Sequence, residues 1–335
     1  MASNNRIYSL ILEFLLVAIS GIFFWYLTGL FDGSGFGSDM KRYYLHYSYL
    51  TESFSFSEIF SGALKDPINY LIQYCFRILG FSFYIFLFIV VFSFYKAATY
   101  RLNNIFGKRL IIVQLFTVLF YSLYFKISIL VALRQGIALI VVLFFCIKTI
   151  DEKIGSKKFF KELFFMIFST LLHLSSIIII PFIFLKKIFK RHIKYFNRIF
   201  FSVFVVYSSG LFYKLGFYFN SSLLSDFKYI FRALSLQEGD GNVYVVGPTI
   251  GKSLSIILPI LIIQITSKYF TNYQKFKLEP IILFYKYICI LSMLLSNLPY
   301  HDRILMIGWL FIPIMLSLPF YVTIKYILFP INYKS

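Results

Sequence analysis

FFKELFFMIFSTLLHLSSIIIIPFIFL, Phe159 to Leu185, is the stretch on which the topology turns. A helix crosses a bilayer with about 20 apolar residues, so these 27 residues are long for one crossing and short for two. Charge decides between them. Lys153, Lys157, Lys158 and Lys161 stand before the apolar run, and Lys186, Lys187, Lys190, Arg191, Lys194 and Arg198 follow it. Lys and Arg collect on the cytoplasmic side of membrane proteins, which places both ends inside. The segment 159–185 is therefore predicted to enter and return as a short or re-entrant helical hairpin. Its turn is expected near His173 to Ser176, where irregular backbone needs protein or a cavity around it.

The rest of the chain reads as membrane throughout. Of 335 residues, 59% are hydrophobic, 22% aromatic and only 14% charged, against about 25% charged in a soluble domain. Mean hydropathy is +0.79, leaving no room for a sizeable water-soluble domain. Apolar runs of spanning length fall near 9–30, 79–97, 109–125, 127–147, 199–219, 253–271, 279–297 and 304–324. The predicted fold is one polytopic all-α integral membrane domain over residues 1–335. It has about eight full transmembrane helices plus the hairpin, with both termini cytoplasmic.

Sorting the net charge of +19 by side supports that parity. The cytoplasmic segments hold 21 Lys and Arg against 4 Asp and Glu, and the external ones 8 against 9. A charge so divided is topological rather than a nucleic-acid signal. Cys75, Cys146 and Cys289 are scattered, excluding a disulfide framework or a CxxC metal site. Trp25 and Tyr26 occupy the place of a small-residue cleavage site, so the first apolar run reads as a retained helix rather than a signal peptide.

Two external segments are longer than connectors need to be. Residues 31–78 begin with DGSGFGSD and end in KDPINYLIQYCFRILG, where Ile68, Leu71, Ile72, Cys75, Ile78 and Leu79 recur at roughly helical spacing. This predicts an interfacial helix starting at Asp66 and Pro67. Residues 220–252 carry the turn-rich EGDGN.

Ionisable groups at membrane depth are costly and are functional candidates. Arg134, in VALRQGIAL, lies in the outer third of its span. It reads either as a diphosphate ligand, through bidentate charge-assisted bonds, or as a structural Arg that snorkels or pairs with Glu13. His173, in FSTLLHLSS, reads as a proton acceptor or as a hydrogen-bonded core histidine. His301, Asp302 and Arg303 cluster at the outer mouth of the last span, as a site or as a charged turn. In the first external segment Asp39, Asp66 and Tyr43 stand out. A partly buried carboxylate there can take a proton from an attacking hydroxyl, and Tyr43 can pack on a sugar or anchor at the interface. Asp66 before Pro67 also has the form of a helix-start signal. GPTIGKS, Gly247 to Ser253, has three residues where a phosphate loop needs four between its glycines, and is discounted. No His, Cys, Asp or Glu spacing matches a zinc or calcium site.

The order SDMKRYY, KDPINYLIQ, ALRQGIAL, LLHLSSIIIIPFI, DRILMIGW resembles the EpsG-like family of bacterial polysaccharide polymerases, a branch of the Wzy-type O-antigen and capsule polymerases. The likeness runs from about Asp39 to the last span, and the RQGIA and HLSS pair is its most specific part. The family's usual Glu-Pro is Asp66-Pro67 here. The resemblance implies glycosyl transfer at the outer face of the bacterial cytoplasmic membrane. Its substrates would be glycan repeat units on undecaprenyl diphosphate, as donor and acceptor, for capsule, O-antigen or exopolysaccharide. A chain-length regulator and a repeat-unit flippase would be partners; no cofactor or metal is required. On that reading Asp39, His173 and Arg303 are catalytic, while Arg134, Arg232, Tyr43 and Asp66 bind substrate. Arg232 is assigned by position alone, because Val243 stands where an RX10G pattern would place glycine. Two alternatives stay open: a flippase or exporter of lipid-linked sugars, and a membrane acyltransferase with His173 as base. Deletion would accumulate single repeats outside for a polymerase and inside for a flippase, and would strip acyl groups for an acyltransferase.

Overall fold

A computed structural model describes residues 11, 14–22, 38–53, 66–106, 111–147, 155–211, 247–296 and 301–324. Among the described residues every regular element is helical. In chain order these include α1 (Ser38–Ser53), α2 (Pro67–Ile78), α3 (Phe83–Phe106), α4 (Ile111–Phe145) and α5 (Lys157–Leu172). A 3-10 turn (Leu174–Ile179) leads into α6 (Ile180–Arg191), then α7 (Ile193–Ser208) and α8 (Ile250–Thr266). The set closes with α9 (Asn272–Leu294), α10 (His301–Trp309) and α11 (Ile312–Thr323). Among the described residues three helical stretches are long and apolar enough to cross a membrane: Phe83–Ile105, Ile250–Tyr269 and Arg303–Thr323.

The surface is that of a protein in lipid. On α5 Phe160, Phe164, Ile167 and Leu171 form an exposed stripe, and on α8 Leu254, Leu258, Leu261 and Ile265 do the same. Four large apolar side chains at helical spacing facing outward would be an aggregation hazard in water, but bilayer hydrocarbon solvates them. Polar groups turn the other way. α2 buries Asn69 and Gln73, with Asp66 just before it, while Cys75 and Ile78 face out. Ile68, Ile72 and Phe76 pack on the core beside these polar groups, and the buried polar face is what the helix brings to the site.

The expected spans 109–125 and 127–147 merge into the single helical element α4, because no Gly or Pro interrupts residues 111–135. A straight rod would separate residues 114 and 146 by about 48 Å. Instead, Gln114 donates to Asn103 and Arg101 donates to the carbonyl of Cys146, two positions apart on α3. α4 therefore bends back on itself, as two arms without a loop between them. The expected span 304–324 is divided at Leu310 and Phe311, where Pro313 starts α11 without a backbone donor.

Residues 159–185 also fold back. Ser156 accepts the N–H of Phe159 and starts α5, which ends at His173 in an extended conformation. Pro181 then helps start α6. Glu162 and Lys186, 24 positions apart, meet at 2.6 Å between Oε2 and Nζ, closing the two arms. Tyr287 on α9 fixes the turn by donating to the carbonyl of Ile178 at 3.0 Å. The GPTIGKS stretch starts a helix: Thr249 accepts the N–H of Lys252, and Gly247, at φ 88°, donates to the carbonyl of Ser296.

Candidate functional site

Three elements far apart in sequence meet at Asp66. The residue occupies the N-cap position of α2, yet its side chain makes no bond to that helix. It reaches across to the other arms instead. Its Oδ2 lies 2.8 Å from Nη1 of Arg134 on α4 and 3.2 Å from Nδ1 of His173 at the end of α5. Its Oδ1 accepts the backbone N–H of Leu174 at 3.3 Å. The helix break at His173 makes this last bond possible, because a continued α-helix would have directed that N–H to the preceding turn.

The electrostatics follow from burial and pairing. Asp66 is 3% exposed, and burial alone would raise its pKa. The hydrogen bond and charge of His173, the charge of Arg134 and the N–H of Leu174 outweigh burial and hold the carboxyl below its usual range. Asp66 is thus an ionised acceptor. An ionised acceptor facing Nδ1 requires the proton on that nitrogen, which leaves Nε2 of a neutral His173 as the basic atom. The pattern is that of a carboxylate that orients an imidazole for proton transfer.

Arg134 retains capacity beyond its carboxylate. Its side chain is 23% exposed, its Nη1 also lies 3.4 Å from the hydroxyl of Tyr70, and its Nε is buried without a hydrogen-bond partner. Its guanidinium carbon sits 5.8 Å from the ring centroids of both Tyr43 and Tyr70, an aromatic cradle that holds a cation. Next in sequence, Gln135 donates to the backbone carbonyl of Arg303 at 2.8 Å, tying the start of α10 to the same arm. Nearby, Lys252 Nζ lies 3.2 Å from Nε2 of the buried His301.

Of the expected site residues, Asp66, Arg134, His173 and Tyr43 are brought together, and Arg303 joins through its backbone. Asp39 is in α1, but its side chain, like Glu13 and Arg232, lies outside the described residues. The sequence reading missed Tyr70, the N–H of Leu174 and Gln135. Tyr70 was accessible to it, since it follows Asp66 by one helical turn on the same face. Among the described residues no three His, Cys, Asp or Glu are grouped to hold a metal ion.

A helical, lipid-exposed chain with an ionised Asp buried between its arms, and an Arg and a His partly buried against it, defines a membrane protein with a polar internal site. The chain belongs to the EpsG family, whose model matches residues 14–329, nearly its whole length. No curated protein and no solved structure matches it significantly.

Proposed function

We propose that this protein is a polysaccharide polymerase of the Wzy type. It joins undecaprenyl-diphosphate-linked oligosaccharide repeat units by glycosyl transfer at the outer face of the bacterial cytoplasmic membrane. The family match across residues 14–329 carries the reaction class, and the Asp66, Arg134, His173 cluster supports the division of roles. A hydroxyl oxygen of the acceptor sugar attacks the anomeric carbon of the donor, and the bond from that carbon to the diphosphate breaks. The hydroxyl proton passes to Nε2 of His173, whose tautomer Asp66 sets through Nδ1. Arg134 stabilises the charge that develops on the departing diphosphate, with its free donors rather than with the Nη1 held by Asp66. Tyr43 offers a face to sugar beside the guanidinium. Arg303, at the same mouth, is a second cation for the diphosphate; Arg232 is a third, and Asp39 an alternative base.

The topology of this proposal has both termini and both ends of 159–185 in the cytoplasm. The cluster then lies toward the outside, since Asp66 belongs to the external segment 31–78. The test is a deletion strain complemented with wild type, R134A or R303A at equal membrane expression. Wild type should restore long polymer, and each variant should leave mainly single lipid-linked repeats, with rates down about 10²-fold or more. Near-normal long polymer from both variants would refute the mechanism. Single repeats accumulating on the cytoplasmic side would turn the assignment to a flippase.

A further inference from the structure

A second polar group is buried away from this site. Lys286 on α9 is 5% exposed, and its Nζ is held by Oδ1 of Asn197 on α7 at 2.7 Å and lies 5.8 Å from the ring centroid of Phe200. Both contacts are neutral, and among the described residues no carboxylate pairs with it. An ammonium has three donors, and taking one out of water without a counter-charge costs several kcal/mol. Lys286 and Asn197 line a cleft of about 410 Å³ between α7, α8 and α9. Its walls are mainly apolar, including Ile193, Phe276 and Ile282, and Lys275, Ser267 and Glu279 supply the other polar groups. Glu279 is engaged by Lys190 at 3.3 Å, which leaves Lys286 as the buried cation of the cleft without a carboxylate. None of its residues belongs to the site around Asp66.

We infer that this cleft binds a phosphate-bearing lipid, with the phosphate on Lys286 and the hydrocarbon chain along the apolar wall. A buried cation at the end of an apolar cleft selects for an amphiphile with an anionic head: a soluble anion would leave the walls unfilled, and a neutral lipid would leave the ammonium unpaired. Basic pockets between transmembrane helices recognise lipid phosphates on these terms. The inference stands independently of the proposed reaction.

The experiment is native mass spectrometry of the detergent-purified full-length chain, titrated with phosphatidylglycerol, farnesyl phosphate, diacylglycerol and inorganic phosphate. At least one of the two phosphate-bearing lipids should be retained in preference to diacylglycerol, and which one identifies the source. K286M should weaken that retention about 10-fold or more, the loss of a charge-assisted hydrogen bond. I282W, which fills the cleft and keeps the ammonium, should weaken it comparably and covers the case in which K286M does not fold. Equal retention of diacylglycerol, binding of inorganic phosphate alone, or undiminished retention in both K286M and I282W would overturn the inference.

Discussion

Asp66→Asn separates the geometry of the cluster from its mere presence. The amide keeps the size of the carboxylate but loses its charge, leaving Arg134 without its counter-ion at 2.8 Å. Removing one partner of a buried pair costs roughly 3–5 kcal/mol, and since Arg134 remains 23% exposed, water should recover part of that, leaving about 2–3 kcal/mol. The catalytic effect is separate. The amide oxygen stays toward Arg134 and Nδ1 of His173, because a guanidinium offers donors only, but it carries no charge to stabilise the imidazolium that forms as the hydroxyl proton is taken. General-base assistance of about 10² to 10⁴ is then lost. The assay is complementation of a deletion strain at matched membrane level, reading the ratio of single lipid-linked repeats to long polymer, with thermal unfolding of the purified protein alongside. His173→Asn should lose polymer to a similar degree while unfolding near wild type, since Asp66 keeps both Arg134 and the Leu174 N–H. Normal polymer from D66N at equal expression, or from H173N, would refute the orienting role.

Three other outcomes test the frame around the site. Glu162→Gln removes the counter-charge 2.6 Å from Lys186 and weakens the acceptor of the Ile147 N–H, also at 2.6 Å; a loss of about 3–5 kcal/mol is expected by thermal unfolding, with E162M/K186M recovering most of it. The pH dependence of stability follows from the lowered carboxyl of Asp66. Its contribution is fully present above the unfolded value near 3.9 and is lost as pH falls through the lower folded value. The difference in unfolding between wild type and D66N should thus stay flat from about pH 5 to 8 and shrink only below about pH 4; a decline already at pH 6 would contradict the ionised pairing. Finally, K190C and E279C, whose native side chains pair at 3.3 Å, should both react with a membrane-impermeant thiol reagent only after the membrane is opened, and labelling of K190C in intact cells would reverse the proposed topology.

The all-helical character was legible in the apolar runs and the scarcity of charge. The details that escaped prediction have local causes. Two apolar runs, 109–125 and 127–147, parted at Lys126, do not foretell that one helical element runs through both; Gly and Pro are absent from residues 111–135. Pro313, by contrast, was a readable sign that the last apolar run divides, as Pro is tolerated best in a first helical turn. α2 shows the opposite difficulty. Its apolar spacing was visible, but Ile68 and Ile72 pack on the core while Ile78 faces out, so the spacing alone does not mark the buried side. Asn69 and Gln73, bonded to one another by side chains in the interior, were therefore the more informative residues.

At the site, residue types were legible and partners were not. An isolated Arg in an apolar run announces that something compensates it, but sequence offers every acid in the chain as a partner. From sequence Asp66 reads as a helix start, a substrate ligand or a proton acceptor. Its position at the N-cap is real, while its oxygens serve Arg134, His173 and Leu174 instead of α2. That displacement bears on the two readings of Arg134, structural and diphosphate-binding, because one ion pair serves both. Asp66 fixes Nη1 and holds the guanidinium beside Tyr43 and Tyr70, while the buried Nε has no acceptor. A purely structural Arg would gain by spending that donor on a neighbouring carbonyl, since an unmet buried donor costs about 1–3 kcal/mol. A ligand-binding Arg must keep it in reserve. Polymer assays of Arg134→Lys therefore decide between them: a lysine can satisfy Asp66 but cannot offer a planar second edge to a diphosphate, so near-wild-type unfolding combined with loss of polymer is the expected result, and retention of both would leave Arg134 as structure alone.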